Sequence, residues 1–294
     1  MSSEKRKYEV DPVTGSAIHP YSWDGIGELE TPPPRWWVLT YLVCFLFAVG
    51  WWVAYPAWPY IAGYTKGVLG FSTRADVAEQ IAAAKAAQAP YNNKLAQLDY
   101  AAIAADPELS TFAMAGGKAL FGENCAQCHG SGANGNVGYP NLLDDDWLWG
   151  GDYTTLEQTV MHGVRSTNDE ATRQSQMPAF GKDGILTREQ VDDVVAYVLS
   201  LSGTAPADPA AAERGAQVFA DNCVACHGDA GVGLREMGGP KLNDAIWLYG
   251  GDPKAVAAQV FNPRHGVMPA WAGRLDPLAI KKLVFYVHSL GGGE

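Results

Sequence analysis

The chain has 294 residues, of which 47% are hydrophobic and 18% charged, so it is long enough for two domains and too apolar to be disordered. Its 33 glycines and 18 prolines follow no G-x-y period, which excludes a collagen-like chain and predicts many turns and short helices. The net charge of −11 argues against a nucleic-acid partner, because phosphate binding needs clustered Lys and Arg. Five cysteines are too few for a disulfide-based scaffold.

An uncharged apolar run follows the N-terminal segment 1–35. Residues 36–55 read WWVLTYLVCFLFAVGWWVAY, and tryptophans lie at both ends, as in the aromatic belts of a membrane helix. Such a helix would span ~30 Å, the thickness of the hydrocarbon core of a bilayer. A signal peptide would be shorter and would end in a small-residue cleavage site, and a buried core helix is the other alternative. We predict a single retained transmembrane helix over 36–58.

The flanking charges predict the orientation of this helix. Lys5, Arg6, Lys7 and Arg35 precede it, whereas only Lys66 follows it closely. Positive charge concentrates on the cytoplasmic side of membrane helices, so we expect a cytoplasmic N-terminus.

An Ala-rich stalk over 59–112 comes next. Ala favours helix, and apolar residues recur between 73 and 105 at loosely helical spacing. Pro90 is expected to divide this stretch, and Asp106–Pro107 to end it. We predict two short stalk helices with a structural role, packed on the following domains or on another subunit.

The remainder is a duplicated sequence, with copies at 113–203 and 213–294 separated by a Pro/Ala linker at 204–212. The matched stretches are Gly117–Phe121 with Gly215–Phe219, Trp147–Asp152 with Trp247–Asp252, His162–Val164 with His265–Val267, Met177–Phe180 with Met268–Trp271, and Tyr197–Leu201 with Tyr286–Leu290. The first copy carries extra residues at 165–176. Each copy closes with an amphipathic helix and is too short to bury much core by itself.

A C-x-x-C-H motif in each copy predicts covalent attachment of c-type haem, in which two thiols bind the porphyrin and the adjacent His binds the iron. The residues are Cys125, Cys128 and His129 in the first copy and Cys223, Cys226 and His227 in the second. A thioredoxin-like site would need a βαβ context, which is absent from the pattern. A zinc site would need four ligands around one metal, and a disulfide within each pair would leave both His unexplained.

Met177 and Met268 each precede a proline at matched positions and are the expected sixth iron ligands. Their rivals, His162 and His265, are more readily explained as contacts to haem propionates. We expect each Met to serve the haem of its own copy, although an exchange between the copies stays open. The run Asp144–Asp146 is expected to be a solvated loop rather than a metal site.

The duplicated region resembles the class I cytochrome c fold. Gly117 with Phe121 and Gly215 with Phe219 are similar to the N-terminal helix of that fold, and Tyr197 and Tyr286 to its C-terminal helix. The resemblance implies a mainly α protein with two tandem cytochrome c domains, in which the first and last helices of each copy cross.

The whole chain resembles a narrower family, the dihaem FixP/CcoP subunits (subunit III) of cbb3-type cytochrome c oxidases. The resemblance includes Trp23-Asp-Gly-Ile26, Pro33-Pro-Arg-Trp-Trp37 and Tyr55-Pro-Ala-Trp-Pro59. It implies a bacterial inner-membrane protein with periplasmic haem domains that is not an enzyme by itself. Its partners would be the catalytic haem–copper subunit, the monohaem cytochrome c subunit and a donor cytochrome c.

Two other functions compete with an electron relay in an oxidase. A free membrane-anchored dihaem carrier would serve another enzyme and would share every motif above. A dihaem peroxidase would need one iron with an open sixth position, but both motifs here are followed by a Met-Pro pair.

Overall fold

The computed structural model describes residues 9–294, which form two compact units, one up to Ala87 and one from Gln88 onwards. The predicted basic residues Lys5, Arg6 and Lys7 lie outside the described residues. The protein is mainly α, as predicted. The helices are α1 (Arg35–Ala54), α2 (Thr73–Gln97), α3 (Tyr100–Ala105), α4 (Pro107–Asn124), α5 (Ala126–His129), α6 (Tyr153–His162), α7 (Arg188–Leu201), α8 (Pro209–Asn222), α9 (Val224–His227), α10 (Pro253–Phe261) and α11 (Pro277–His288).

The first unit contains α1 between two antiparallel hairpins, followed by the first part of α2. Strands β1 (Ile18–Trp23) and β2 (Ile26–Leu29) precede the helix, and β3 (Pro59–Tyr60) and β4 (Gly63–Tyr64) follow it. None of the residues of α1 is buried by protein, and its mean hydropathy reaches 1.9 over an 18-residue window. By length and composition, α1 is a candidate membrane-spanning helix.

Helix α1 ends at Ala54, before the predicted end at 58. Tyr55 is extended, because the residue before a proline, here Pro56, is disfavoured in the α region. The chain then returns to the helix end, where the Val68 N–H donates to the Val53 carbonyl at 2.9 Å and the Leu69 N–H to the Ala54 carbonyl at 3.1 Å. Two carbonyls that the helix cannot pair internally are thereby satisfied.

The stalk differs from the prediction at Pro90. Helix α2 runs through this proline without a break, so the expected division of the stretch there is wrong. A proline inside a helix removes one backbone hydrogen bond. The carbonyl that loses its donor belongs to Ala86, which is exposed, so water can replace the lost bond.

The C-terminal part of the stalk packs onto the haem-binding region. Leu95, Ile103 and Leu109 form a buried cluster with Phe285 of α11. Lys281 of α11 donates from Nζ to the carbonyls of Leu95 at 3.0 Å and Leu98 at 2.6 Å, at the C-terminal end of α2. A cation at a helix C-terminus satisfies its free carbonyls and its dipole, so Lys281 fixes the end of α2.

The helices of the two copies are exchanged. Helix α4 of the first copy packs against α11 of the second, and α7 of the first copy packs against α8 of the second. Helix α6 joins the α4–α11 half and α10 joins the α7–α8 half. The expectation that the first and last helices of the same copy cross is therefore wrong, and each half of the region is built from both copies.

Each helix crossing depends on a glycine. A β-carbon on Gly117 of α4 would overlap the Lys282 carbonyl and the Tyr286 side chain of α11. A β-carbon on Gly215 of α8 would overlap the backbone of Asp193 in α7. The backbones of the paired helices can approach this closely only where no side chain intervenes.

Each copy passes from one half to the other just after its His-Gly-Val stretch. Val164 and Met268 pair in both directions, with two N–H···O distances of 3.0 Å. Gly163 has φ +69°, and a β-carbon there would overlap the Met268 carbonyl, so the crossover requires glycine. The extra residues 165–176 of the first copy carry the chain from α6 to the other half.

Candidate haem sites

The C-x-x-C-H motif of the first copy forms a single helical turn. The Cys125 N–H closes α4 by donating to Phe121 O at 2.8 Å, and the His129 N–H donates to Cys125 O at 2.9 Å. This turn places both thiols and the imidazole on a short, rigid segment that follows a long helix. Cys125 and Cys128 are both free thiols, so they can form thioether bonds.

The motif of the second copy has the same construction. The Cys223 N–H donates to Phe219 O at 2.8 Å, and the His227 N–H donates to Cys223 O at 2.9 Å. Cys223 and Cys226 are free thiols as well. Burial, followed by the neighbouring thiol, raises the pKa of Cys125 and of Cys223 to about 11, so both stay protonated at neutral pH.

The motif histidines are held in the tautomer that suits a metal ligand. His129 Nδ1 lies 3.0 Å from the Pro140 carbonyl, and His227 Nδ1 lies 2.9 Å from the Pro240 carbonyl. A carbonyl only accepts, so Nδ1 carries the proton and the lone pair of Nε2 stays free. Burial also lowers the pKa of both rings and keeps them neutral. The residues present therefore fit a haem iron at each Nε2.

The two methionines lie in the halves opposite to their copies. Met177 of the first copy packs against the buried cluster of the α7–α8 half, which Cys223 also contacts. Met268 of the second copy pairs with Val164 at the end of α6. Just beyond it, the N–H of Trp271 donates to the Met161 carbonyl of α6 at 3.0 Å. Each methionine thus belongs to the half that holds the other copy's C-x-x-C-H motif.

His162 and His265 both contact the crossover. His162 Nδ1 lies 3.0 Å from Asp169 Oδ2, and this contact lowers the pKa of the carboxyl. His265 Nε2 accepts from the Met177 N–H at 3.1 Å. Each ring keeps one nitrogen without a partner among residues 9–294, so the predicted propionate contacts stay predictions.

The acidic run and the other candidate ligands do not form a metal site in the described part of the chain. No group of three or more His, Cys, Asp or Glu side chains is gathered there around a common point. Asp146 pairs with Lys241 of the other copy at 3.3 Å, and burial raises the pKa of Asp144.

Comparison with known proteins identifies the family. The description "N-terminal domain of cytochrome oxidase-cbb3, FixP" matches residues 19–62, "Cytochrome c" matches 114–202, and "Cytochrome C oxidase, cbb3-type, subunit III" matches 210–287. The CcoP subunit of the Cereibacter sphaeroides cbb3-type oxidase is 52% identical over 290 residues, covering 99% of this chain and 98% of that protein. The FixP subunit of Sinorhizobium medicae is 52% identical over 292 residues, covering 99% and 100%.

The chain belongs to the FixP/CcoP family. The predicted family, the mainly α fold with two cytochrome c domains and the c-type haem cofactors are thereby confirmed. As a member of this family, the protein is a membrane-associated electron-transfer subunit, with α1 as its candidate transmembrane helix.

Sequence reasoning missed the backbone carbonyls that accept from the two motif histidines. The carbonyls that orient the two histidines belong to Pro140 and Pro240, which follow the motifs at similar distances and precede Leu142 and Leu242 by equal spacing. That repeated Pro-x-Leu pattern was the available signal. In the extra residues of the first copy, Arg165 Nε donates to the Gly266 carbonyl at 2.7 Å and Arg173 Nε to Thr159 Oγ1 at 3.0 Å. The second copy has no equivalent of these residues, so comparison of the copies could not point to either arginine.

Proposed function

We propose that the chain relays electrons from a donor cytochrome c, through its two haems, to the catalytic haem–copper subunit of a cbb3-type oxidase. The oxidase would reduce O₂ to water and pump protons, and this chain would carry electrons only. The observation that carries the proposal is that both haem-binding motifs lie in one compact unit whose two halves share helices. Such a unit holds two haems at a fixed separation, as a relay requires.

The exchanged halves support an exchanged set of axial ligands. The haem on Cys125 and Cys128 would have His129 and Met268 as ligands, and the haem on Cys223 and Cys226 would have His227 and Met177. A neutral thioether favours reduced iron and raises the potential, which suits a relay that delivers electrons to an oxidase. Two closed irons leave no open position for peroxide, which disfavours a peroxidase.

The orientation and remaining partners complete the proposal. Arg35 precedes α1, and c-type haem is attached outside the cytoplasmic membrane, so the N-terminus would be cytoplasmic and the haem unit periplasmic. Helix α1 contains no charged residue between its first residue and Ala54, so it would anchor the chain and contact another subunit rather than conduct protons. The monohaem cytochrome c subunit would be a further partner in the bacterial inner membrane.

Purification from native membranes tests the proposal. The chain is expected to copurify with b-type haem and copper, and the preparation should oxidise reduced cytochrome c in the presence of O₂. Recovery of the chain with c-type haem alone would instead favour a free carrier. Peroxide-dependent turnover by the isolated chain would favour a peroxidase.

Electron entry is expected to depend on salt. Beyond Tyr60 the chain has 17 Lys and Arg against 26 Asp and Glu, a balance of −9. A basic donor would be steered by this field, so its association rate should fall several-fold from about 10 to 200 mM salt, as the Debye length shrinks. Stopped-flow mixing measures the rate, with an uncharged small-molecule reductant as the control that should not respond. A flat rate for the donor would contradict electrostatic steering.

A further inference from the structure

The chain leaves helix α1 through a segment that is almost free of charge. Between Trp36 and Thr73 only Lys66 is charged, although α1 itself ends at Ala54. Residues 55–72, which we call the exit segment, therefore keep the composition of a membrane helix after the helix has ended. They contain the two-stranded β3–β4 hairpin.

The exit segment is fixed to the last turn of α1. Two of its N–H groups donate to the carbonyls of Val53 and Ala54. A β-carbon on Gly67, which has φ +71°, would overlap the Ala54 carbonyl, so this close return of the chain requires glycine. The Trp58 ring meets the Trp52 ring of α1 edge to face, with 4.8 Å between the ring centres. The hairpin thus has a defined position at the helix end.

The side chains of the exit segment are largely uncovered by protein. Ile61, at the turn of the hairpin, is fully exposed, and Val68 is 79% exposed. The other exposed apolar side chains of the segment are Trp58, Tyr60, Tyr64, Leu69 and Phe71. A continuous apolar surface of this kind marks a contact with a membrane or with another protein.

The composition and level of this surface favour the membrane. Trp and Tyr concentrate at the headgroup level of a bilayer, and a single Lys can extend its ammonium group to the lipid phosphates. The 20 residues of α1 match the thickness of the hydrocarbon core, so a hairpin bound to its last turn lies at the headgroups. The open edges of a two-stranded hairpin exclude its backbone from the hydrocarbon itself.

The hairpin at the other end of α1 has the opposite character. Its sequence and flanks carry Asp24, Glu28 and Glu30, whose carboxylates favour water over an anionic lipid surface. We propose that the exit segment lies in the headgroup region of the bilayer, with Ile61 against the upper part of the acyl chains, as a second membrane contact besides α1. The inference rests on α1 crossing the bilayer and is independent of the electron relay.

The test measures the depth of a dye in phosphatidylcholine vesicles that hold the full chain with both haems, alone and within the oxidase. Cys44 is the one cysteine outside the C-x-x-C-H motifs, so Ile61→Cys in a Cys44→Ala background gives a single labelling site. Lipids with a nitroxide at a shallow or a deep position quench a nitrobenzoxadiazole dye according to its depth. Ile26→Cys is the matched control, because Ile26 is a 70% exposed isoleucine of the acidic hairpin.

The shallow nitroxide should quench the dye at Ile61→Cys several-fold more than the deep one. The dye on native Cys44, in the middle of α1, should show the reverse order, and the dye at Ile26→Cys should respond to neither. A dye at Ile61→Cys that neither lipid quenches, while the dye on Cys44 responds, would overturn the proposal. Quenching that is lost within the oxidase would also overturn it and assign the surface to another subunit.

A second pair of variants shows whether the hairpin or the dye binds the lipid. With the dye at Val68→Cys, Ile61→Asp should reduce shallow quenching several-fold, because a carboxylate against acyl chains is unfavourable. Ile61→Leu should leave this quenching unchanged. Equal quenching in Ile61→Asp and Ile61→Leu would overturn the proposal. If the dye on Cys44 responds to neither lipid, α1 does not cross the bilayer and the inference fails with it.

Discussion

The two helix crossings, α4 with α11 and α7 with α8, are built from equivalent residues but are reached along different paths. Helices α7 and α8 are neighbours in the chain, joined by residues 202–208, so their pairing is local, as in an αα-hairpin. Helices α4 and α11 are the first and last helices of the haem-binding region, and their pairing closes the whole of it. The same helix contact thus joins sequence neighbours in one half and segments that are far apart in the sequence in the other.

The difference shows that the connections decide which helices pair. Gly117 and Gly215 each accept a tyrosine from a closing helix, and Tyr286 and Tyr197 are equivalent in sequence. Nothing in the contact itself distinguishes pairing within a copy from pairing between copies. The short linker between α7 and α8 brings these two helices together. The extra residues 165–176 of the first copy span the distance from α6 to the α7–α8 half.

Among the tests of this exchange, replacing the proposed methionine ligands should have the largest effect. Met268→Ala should lower the potential of the haem on Cys125, and Met177→Ala that of the haem on Cys223. Loss of the thioether ligand should change the ratio of reduced to oxidised haem by about a hundredfold or more, or about 120 mV. Potentiometry in a Cys125→Ala background, in which the first haem keeps one vinyl group and is marked by a shifted α-band, identifies which haem responds.

Met237→Ala is the matched control, because Met237 is exposed and has no equivalent in the first copy. It should leave both potentials unchanged. A fall in the potential of the marked haem with Met177→Ala would mean that each copy ligates its own haem. The exchange would then be limited to the helices.

The glycine at the distant crossing offers the second test. Gly117→Ala should destabilise the protein by about 1–3 kcal/mol, because the new methyl overlaps Lys282 O and Tyr286. Gly122→Ala, on the same helix with open space around its α-carbon, should instead stabilise by up to about 1 kcal/mol. Denaturant unfolding followed by circular dichroism measures both.

A second-site variant assigns the contact to one copy. Tyr286→Gly should recover part of the loss caused by Gly117→Ala, because the overlapping atom of Tyr286 is its β-carbon, whereas Tyr197→Gly should simply add its own cost. Recovery by Tyr197→Gly in place of Tyr286→Gly would show that α4 pairs within its own copy.

Local features of this chain could be predicted from its sequence, and non-local ones could not. The uncharged run of α1 and the two C-x-x-C-H turns each depend on a few adjacent residues. Pro90 was misjudged because one lost hydrogen bond is cheap in an exposed helix. The Arg173 guanidinium lies 4.9 Å from the centre of the Trp149 ring, but the two residues are far apart in the sequence and meet only through the folded loop 165–176, so no local spacing could pair them.

The smallest expected effect comes from the charge difference between the crossings. In α7–α8, Arg214 donates to Asp193 from Nε at 2.9 Å and from Nη2 at 2.6 Å. In α4–α11, Gly116 and Lys282 replace this pair, and Lys282 Nζ donates to Asn92 Oδ1 of the stalk at 2.7 Å. The first half therefore relies on the stalk where the second has an internal ion pair.

Arg214→Ala should destabilise the protein by about 1 kcal/mol, since it leaves the Asp193 carboxylate, only 8% exposed as a residue, without its bidentate partner. The Arg214 side chain is 59% exposed, so solvent replaces part of the interaction and the cost stays small.

Lys282→Met should have a similar effect only while the stalk is present, because its acceptor is Asn92. A double-mutant cycle of Lys282→Met with Asn92→Ala measures that dependence by thermal unfolding. Strict additivity in this cycle would show that the stalk contributes nothing to the α4–α11 crossing through Lys282.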